Sequence, residues 1–279
     1  VKDSVEVAAV YALGNNAMPF SNNPPVKALI INHSDTVHTY NVSMIVKDVA
    51  TGAVRYGPEV QSVSVNKHNQ NTVSFTGWAP AKIETDSIIV TVGAEPDENY
   101  LLNNRSFYIQ NNNSDITGYD DGTKAITQIG FDTLSGLILA KYNMNGCGKV
   151  NGAEIYLSNS SKGHAVYAVL VDTAENIIAT SNSFTPDSSQ INGYHTFYFS
   201  NSPMLKNVDY YVGLAQAATT PGNGYFPVGV QWEGGTVRSG AYYKSKLNGD
   251  STTENASLGR LMIKAELVSG CASPVITGN

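Results

Sequence analysis

No cluster of lysine or arginine occurs anywhere in the 279 residues. The densest basic stretch is Lys244-Ser245-Lys246. A nucleic-acid partner requires a basic stripe that neutralises phosphate, so the sequence argues against one. Charge is scarce altogether: 14% of residues are charged and the net charge is −6. Long apolar runs are also missing, which argues against membrane insertion by helices. Helical periodicity is absent: Ala215–Ala218 is short and soon meets Pro221-Gly222. No repeat of 20–50 residues marks a solenoid or propeller. Only two cysteines are present, Cys147 and Cys271, and neither belongs to a Cys-x-x-Cys or Cys/His metal pattern. Two readings of them stand open. They join in a disulfide, as an oxidising compartment allows, or Cys147 is a buried thiol and Cys271 opens a following domain.

The motifs of catalysis are missing as well. There is no Gly-x-Ser-x-Gly elbow. None of the five histidines, His33, His38, His68, His164 and His195, pairs with another at a metal-ligand spacing. Phosphate loops are absent, since Gly222-Asn223-Gly224 leads into no helix. The acids Asp97-Glu98, Asp120-Asp121 and Asp250 sit in turn-like sequence, as solvated turn residues do. The expectation is a protein that is not an enzyme and carries no organic cofactor.

What is there is alternation. His38, Tyr40, Val42, Met44 and Val46 share one face of a strand, with Thr39, Asn41, Ser43 and Lys47 on the other. Further strands are expected at Val5–Ala12, Val26–Asn32, Val60–Val65, Asn71–Phe75, Ser87–Val92 and Arg105–Gln110. About seven short strands in this length fit an immunoglobulin-like sandwich. The run Asn111-Asn112-Asn113-Ser114-Asp115 is polar without period and reads as a linker. After it, strands are expected at Lys124–Gly130, Leu137–Asn143, Val150–Leu157, His164–Asp172, Ile177–Ser183, Tyr194–Phe199, Val208–Gln216, Phe226–Trp232 and Arg260–Val268, a jelly-roll-like sandwich. In the last, Leu261, Ile263, Ala265 and Leu267 oppose Arg260, Met262, Lys264 and Glu266. The fold class expected is all-β: two antiparallel β-sandwich domains, residues 1–112 and 113–271, with 272–279 starting a following segment. Trp232, flanked by Gln231 and Glu233, and the loop-like Tyr225, Tyr242 and Tyr243 suggest a stacking platform for a sugar ring.

Two stretches carry a resemblance. Val90-Thr91-Val92-Gly93-Ala94-Glu95-Pro96-Asp97-Glu98-Asn99, then Leu102-Asn103-Asn104 and Phe107-Tyr108-Ile109, resembles the last hairpin of CARDB-like domains. Ile30-Ile31-Asn32-His33-Ser34 fits the same pattern. Val150–Leu157, Thr196-Phe197-Tyr198-Phe199 and Asp209-Tyr210-Tyr211-Val212-Gly213-Leu214 are similar to jelly-roll modules of large secreted proteins from Bacteroidetes-type bacteria. Cys271-Ala272-Ser273-Pro274 looks like the opening of a next sandwich. The resemblance implies a secreted or cell-surface fragment of a longer chain, serving adhesion or spacing toward an extracellular protein or glycan. The alternative is a carbohydrate-binding module attached to a secreted hydrolase. It further implies O-glycans at Asp-Ser/Thr pairs, here Ser4, Thr36, Ser87, Thr133, Thr173 and Ser251. Jelly rolls also carry structural calcium near their first strand, for which Asp120 and Asp121 are the candidate ligands, although the spacing is not that of an EF-hand.

Overall fold

The computed structural model describes residues 5–21, 24–93, 102–233, 238–255 and 257–270. The described chain is all-β, broken only by a 3-10 turn at Asn159–Ser161. Among the described residues no helix is long and apolar enough to cross a membrane. Two compact units divide between Ser114 and Asp115; Pro19, Phe20 and Ser21 belong with the second and Glu233 with the first.

The first unit comprises β1 (Val5–Tyr11), β2 (Asn15–Ala17), β3 (Val26–Asn32), β4 (His38–Asp48), β5 (Val54–Val65), β6 (Asn69–Phe75), β7 (Thr85–Val92) and β8 (Arg105–Asn113). One antiparallel sheet runs β1-β3-β6. The other runs β5-β4-β7-β8. β2 adds to β8 in parallel. Val5, Val7, Ala28, Ile30, Val73 and Phe75 of the first sheet share one core with Tyr40, Val42, Met44, Val46, Ile88 and Val90 of the second. The period-2 reading of β4 therefore holds: Tyr40, Val42, Met44 and Val46 are buried, while Thr39 and Asn41 face water. The strand order is that of an immunoglobulin-like sandwich.

The expected linker is not one. Asn111, Asn112 and Asn113 are the last residues of β8. They lie beside Asn15, Asn16 and Ala17 of β2. Asn112 is fully buried. Its amide donates to Asp86 Oδ2 at 2.8 Å, and its Oδ1 accepts from Asn16 Nδ2 at 3.0 Å. Polar composition suggested solvent, but these side chains satisfy one another inside the fold.

The second unit comprises β9 (Ile116–Gly118), β10 (Thr127–Ile129), β11 (Gly136–Leu157), β12 (Val166–Val171), β13 (Ile177–Ser181), β14 (Gly193–Ser200), β15 (Met204–Gln216), β16 (Val228–Gln231), β17 (Tyr242–Ser245), β18 (Thr253–Glu254), β19 (Arg260–Leu261) and β20 (Ile263–Ser269). β11 organises it. Its first half pairs with β15 and β17, its second half with β14 and β20. The resulting orders are β13-β12-β15-β11-β17-β18 and β14-β11-β20-β9. A short ladder β10-β16-β19 completes the antiparallel pairing.

Two expected strands, Leu137–Asn143 and Val150–Leu157, are thus one strand of 22 residues. The glycines between them make a bulge instead of a turn. The register against β15 slips between Met144 and Cys147. Gly146 takes a φ of 76° there, and its N–H donates to Asn207 Oδ1 at 2.8 Å. A bulge bends a strand without ending it, which is how one strand serves two sheets.

Candidate functional site

The four aromatic positions expected to form a sugar platform separate. Tyr225 and Tyr242 are 2% and 0% exposed. They belong to the interior and present no face to a ligand. Tyr242 lies on β17, a strand that reads as loop in the sequence, and Tyr119 meets it edge-on at 5.4 Å. Tyr225 stacks on His164 at 4.0 Å. Trp232 is 69% exposed, and among the described residues no ring contact joins it to the tyrosines. Tyr243 is half-buried and packs edge-on to Tyr211 at 5.1 Å.

Tyr243 and Tyr211 lie over a small apolar cluster of Leu137, Leu139, Val169, Val171 and Ala215. Leu247 packs against the same cluster. Its loop is anchored where Ser251 and Thr252 donate backbone N–H groups to the Glu175 carboxylate at 3.0 and 3.2 Å. Beside Tyr211, Lys141 pairs with Asp209 at 2.8 Å, and Asn143 donates to the same carboxylate at 2.7 Å. Burial pushes Asp209 up, but Lys141 and Asn143 together hold it below its ordinary range.

The two carboxylates expected to bind calcium already have protein partners. Asp120 is fully buried. It accepts a hydrogen bond from the Tyr194 hydroxyl and one from the Gly122 N–H at 3.1 Å. The Lys264 ammonium lies 3.7 Å from it, and 3.6 Å from Glu154. That ammonium also sits 3.9 Å from the centre of the Tyr194 ring, a cation–π contact. Burial beside Asp120 pushes the Tyr194 phenol far up, so it stays a donor. Asp121 pairs with Arg260 at 3.0 Å and accepts from Gln231 Nε2 and Thr123 Oγ1, each at 2.7 Å. Burial opposes ionisation of Asp121, yet Thr123, Arg260 and Gln231 hold its carboxyl below the ordinary range. Ammonium and guanidinium groups stand where calcium was expected to supply the positive charge. Among the described residues no three histidine, cysteine or carboxylate side chains gather to hold a metal.

Cys147 is disulfide-bonded. Cys271, the only other cysteine in the chain, lies outside the described residues, as do residues 272–279, Ser4 and the turn Ala94–Asn99. Of the expected glycan positions, Thr36, Thr173 and Ser251 are exposed. Thr133 is half-buried. Ser87 is half-buried in β7, which is paired on both sides.

His38 Nε2 lies 2.8 Å from the Thr36 hydroxyl at an exposed position, and its ring stacks on Tyr40 at 5.7 Å. His195 stacks on Phe184 at 3.8 Å, and burial lowers its basicity. His33 and His68 pair with Glu6 and Asp35 at 2.9 and 2.8 Å.

One feature escapes the sequence reading. A cleft of about 350 Å³ opens on the second unit, lined by Ile126, Thr127, Gln128, Tyr156, Asn159 and Asn192 with Ala125 and Ser158. These residues come from three separate turns and strand ends. As isolated Asn, Gln and Thr residues they read as turn chemistry, and only the fold brings them together.

No protein-family model matches the chain, and no curated protein matches it.

Proposed function

We propose that this chain is a non-catalytic module of a secreted bacterial surface protein, serving adhesion or spacing. The first unit acts as an immunoglobulin-like spacer, and the second makes the specific contact. The observation that supports this reading is how the ionisable groups are used. Asp48 and Glu84 are spent on Arg55, at 2.8 and 2.6 Å. Asp120 is spent on Lys264, Asp121 on Arg260 and Asp209 on Lys141. A general acid or base must instead reach a reacting atom, with a pKa set for the task. The cleft on the second unit is lined by no ionisable acid or base other than the Tyr156 phenol. The test is a screen of the whole chain against cells, extracellular proteins and a glycan array, beside a panel of chromogenic glycosides and esters. Retention without turnover supports the reading; turnover of any chromogenic substrate overturns it.

A second reading, a carbohydrate-binding module attached to a hydrolase, is favoured by the uncharged lining of the cleft. It differs from the first in what lies elsewhere in the longer chain.

A further inference from the structure

Every group lining the cleft is uncharged: amides at Gln128, Asn159 and Asn192, hydroxyls at Thr127, Tyr156 and Ser158, and the apolar Ala125 and Ile126. Among the described residues, the side chains of Gln128, Asn159, Asn192 and Thr127 and the Tyr156 hydroxyl make no hydrogen bond within the protein. Elsewhere in this unit polar side chains are committed: Ser158 donates to the Phe226 carbonyl at 2.6 Å, and Gln231 serves Asp121 and Thr123. The cleft therefore concentrates unspent hydrogen-bonding capacity of both senses, since each amide offers donors and an acceptor.

The backbone that presents these groups is fixed. Asn192 takes a φ of 57°, a left-handed conformation that asparagine tolerates. Its N–H donates to the Leu157 carbonyl at 2.7 Å. The Ser158 hydroxyl caps the turn that carries Asn159. Tyr156 lies on β11 against Gly229, where a Cβ would fall 2.5 Å from its Cδ1. Glycine at that position gives the ring its place. A fixed backbone keeps these side chains at constant positions, although each side chain is ordered only on binding.

We infer that this cleft is a binding site for a neutral pyranose unit of a glycan, a chain end or a side branch. An uncharged lining gives no counter-ion to a phosphate, a sulfate or a uronic acid. Paired donors and acceptors match vicinal hydroxyls, and Tyr156 adds its hydroxyl and a half-buried ring to the lining. The size agrees, because about 350 Å³ lies at the small end of ligand pockets, which run from about 300 to 1,000 Å³. The inference rests on the adhesive reading above and names the ligand class of its second unit.

The experiment is titration calorimetry of the whole chain with neutral oligosaccharides (gluco-, manno-, galacto-, xylo- and chito-oligomers), with oligogalacturonate as the charged control. Asn192→Gly removes the amide and keeps the left-handed backbone. Gln128→Ala and Asn159→Ala remove exposed amides that hold nothing else, so all three variants should keep the wild-type melting temperature. At least one neutral oligomer is expected to bind. Asn192→Gly combined with Gln128→Ala should weaken it by about tenfold or more, as expected for two lost hydrogen bonds. Trp232→Ala should leave it unchanged. Absence of binding by every neutral oligomer, binding that the cleft variants do not weaken, or a preference for oligogalacturonate overturns the inference. If neutral sugars fail while cells or matrix proteins still retain the chain, the cleft assignment falls and the adhesive reading stands.

Discussion

Among the described residues each unit buries one carboxylate completely, Asp86 in the first and Asp120 in the second, and the two are treated differently. Asp120 meets a phenol, a backbone N–H and an ammonium. Asp86 meets an amide, from Asn112, and its charged neighbours Glu84 and Asp48 carry its own sign, against Arg55. Burial and then Glu84 push the Asp86 carboxyl up to about 6, against the downward pull of Arg55. A buried carboxyl group held by a phenol, a backbone N–H and an ammonium ties distant strands together. One with an amide and acidic neighbours holds its proton into mildly acidic pH.

The largest expected effect breaks the second arrangement. Lys264→Met should cost about 3–5 kcal/mol by removing the ammonium beside the buried Asp120 carboxyl, as removal of one partner of a buried pair does. Chemical denaturation reads this directly, and Lys264→Met combined with Asp120→Asn should recover part of the loss. A loss below about 1 kcal/mol in the single variant would mean that Tyr194 and Gly122 suffice for Asp120.

The next effect tests the first arrangement by pH. The Asp86 pKa is raised in the folded state, so its contribution is fully present below the unfolded value near 4 and is lost as pH rises through about 6. Stability of the first unit should fall over that window, on the order of 1–2 kcal/mol once solvent screening is allowed for. Asp86→Asn should flatten the fall and raise stability at pH 7 and above. Asp48, Asp121, Asp187 and Asp209 are shifted the other way, so their contributions are lost only as pH drops below about 4. A pH profile rising steadily from 4 to 7 would contradict the assignment to Asp86.

An effect of similar size is expected at the end of β8. Asn112→Ala should cost about 1–3 kcal/mol, because Asp86 and Asn16 both lose a buried partner. Asn111→Ala, on the exposed side of the same strand, should change stability by less than about 0.5 kcal/mol. Equal, negligible effects would restore the linker reading of this run. The smallest expected effect is at Asp120-Asp121, where adding calcium or a chelator should leave the melting temperature unchanged, since Lys264 and Arg260 already supply the positive charge. A rise with calcium would show that a metal displaces them.

The strands were largely legible, because period-2 alternation is a local property. β3 was read at its true bounds, and β4 through β7 were found with their ends clipped. Misreadings occurred where local polarity or glycine had a distant partner. Asn112 looked solvated because neither Asn16 nor Asp86 is near it in sequence. Met144–Lys149 fell outside the expected strands because only the partner strand β15 keeps it in line. Lys264 was placed on an outer face by alternation, yet both faces of β20 are covered and it is buried. Tyr225 and Tyr242 looked like loop aromatics because β17 is short and β16 ends near Trp232. Among the four aromatic candidates, Trp232 and Tyr243 retain exposed surface. The amides of the cleft gave no signal, since asparagine and glutamine in turns are ordinary.

The sequence by itself determined the all-β class and the buried face of each long strand, and it held no recognisable motif of catalysis. Those properties depend on residue type and spacing along the chain. The tertiary structure alone decided which polar groups are spent and which remain available. A side chain's hydrogen-bonding capacity is used up by whatever the fold places within about 3 Å of it, and those neighbours come from strands far apart in sequence. Asp120 and Asp121 became structural on that account, and Gln128, Asn159 and Asn192 were left open to a ligand.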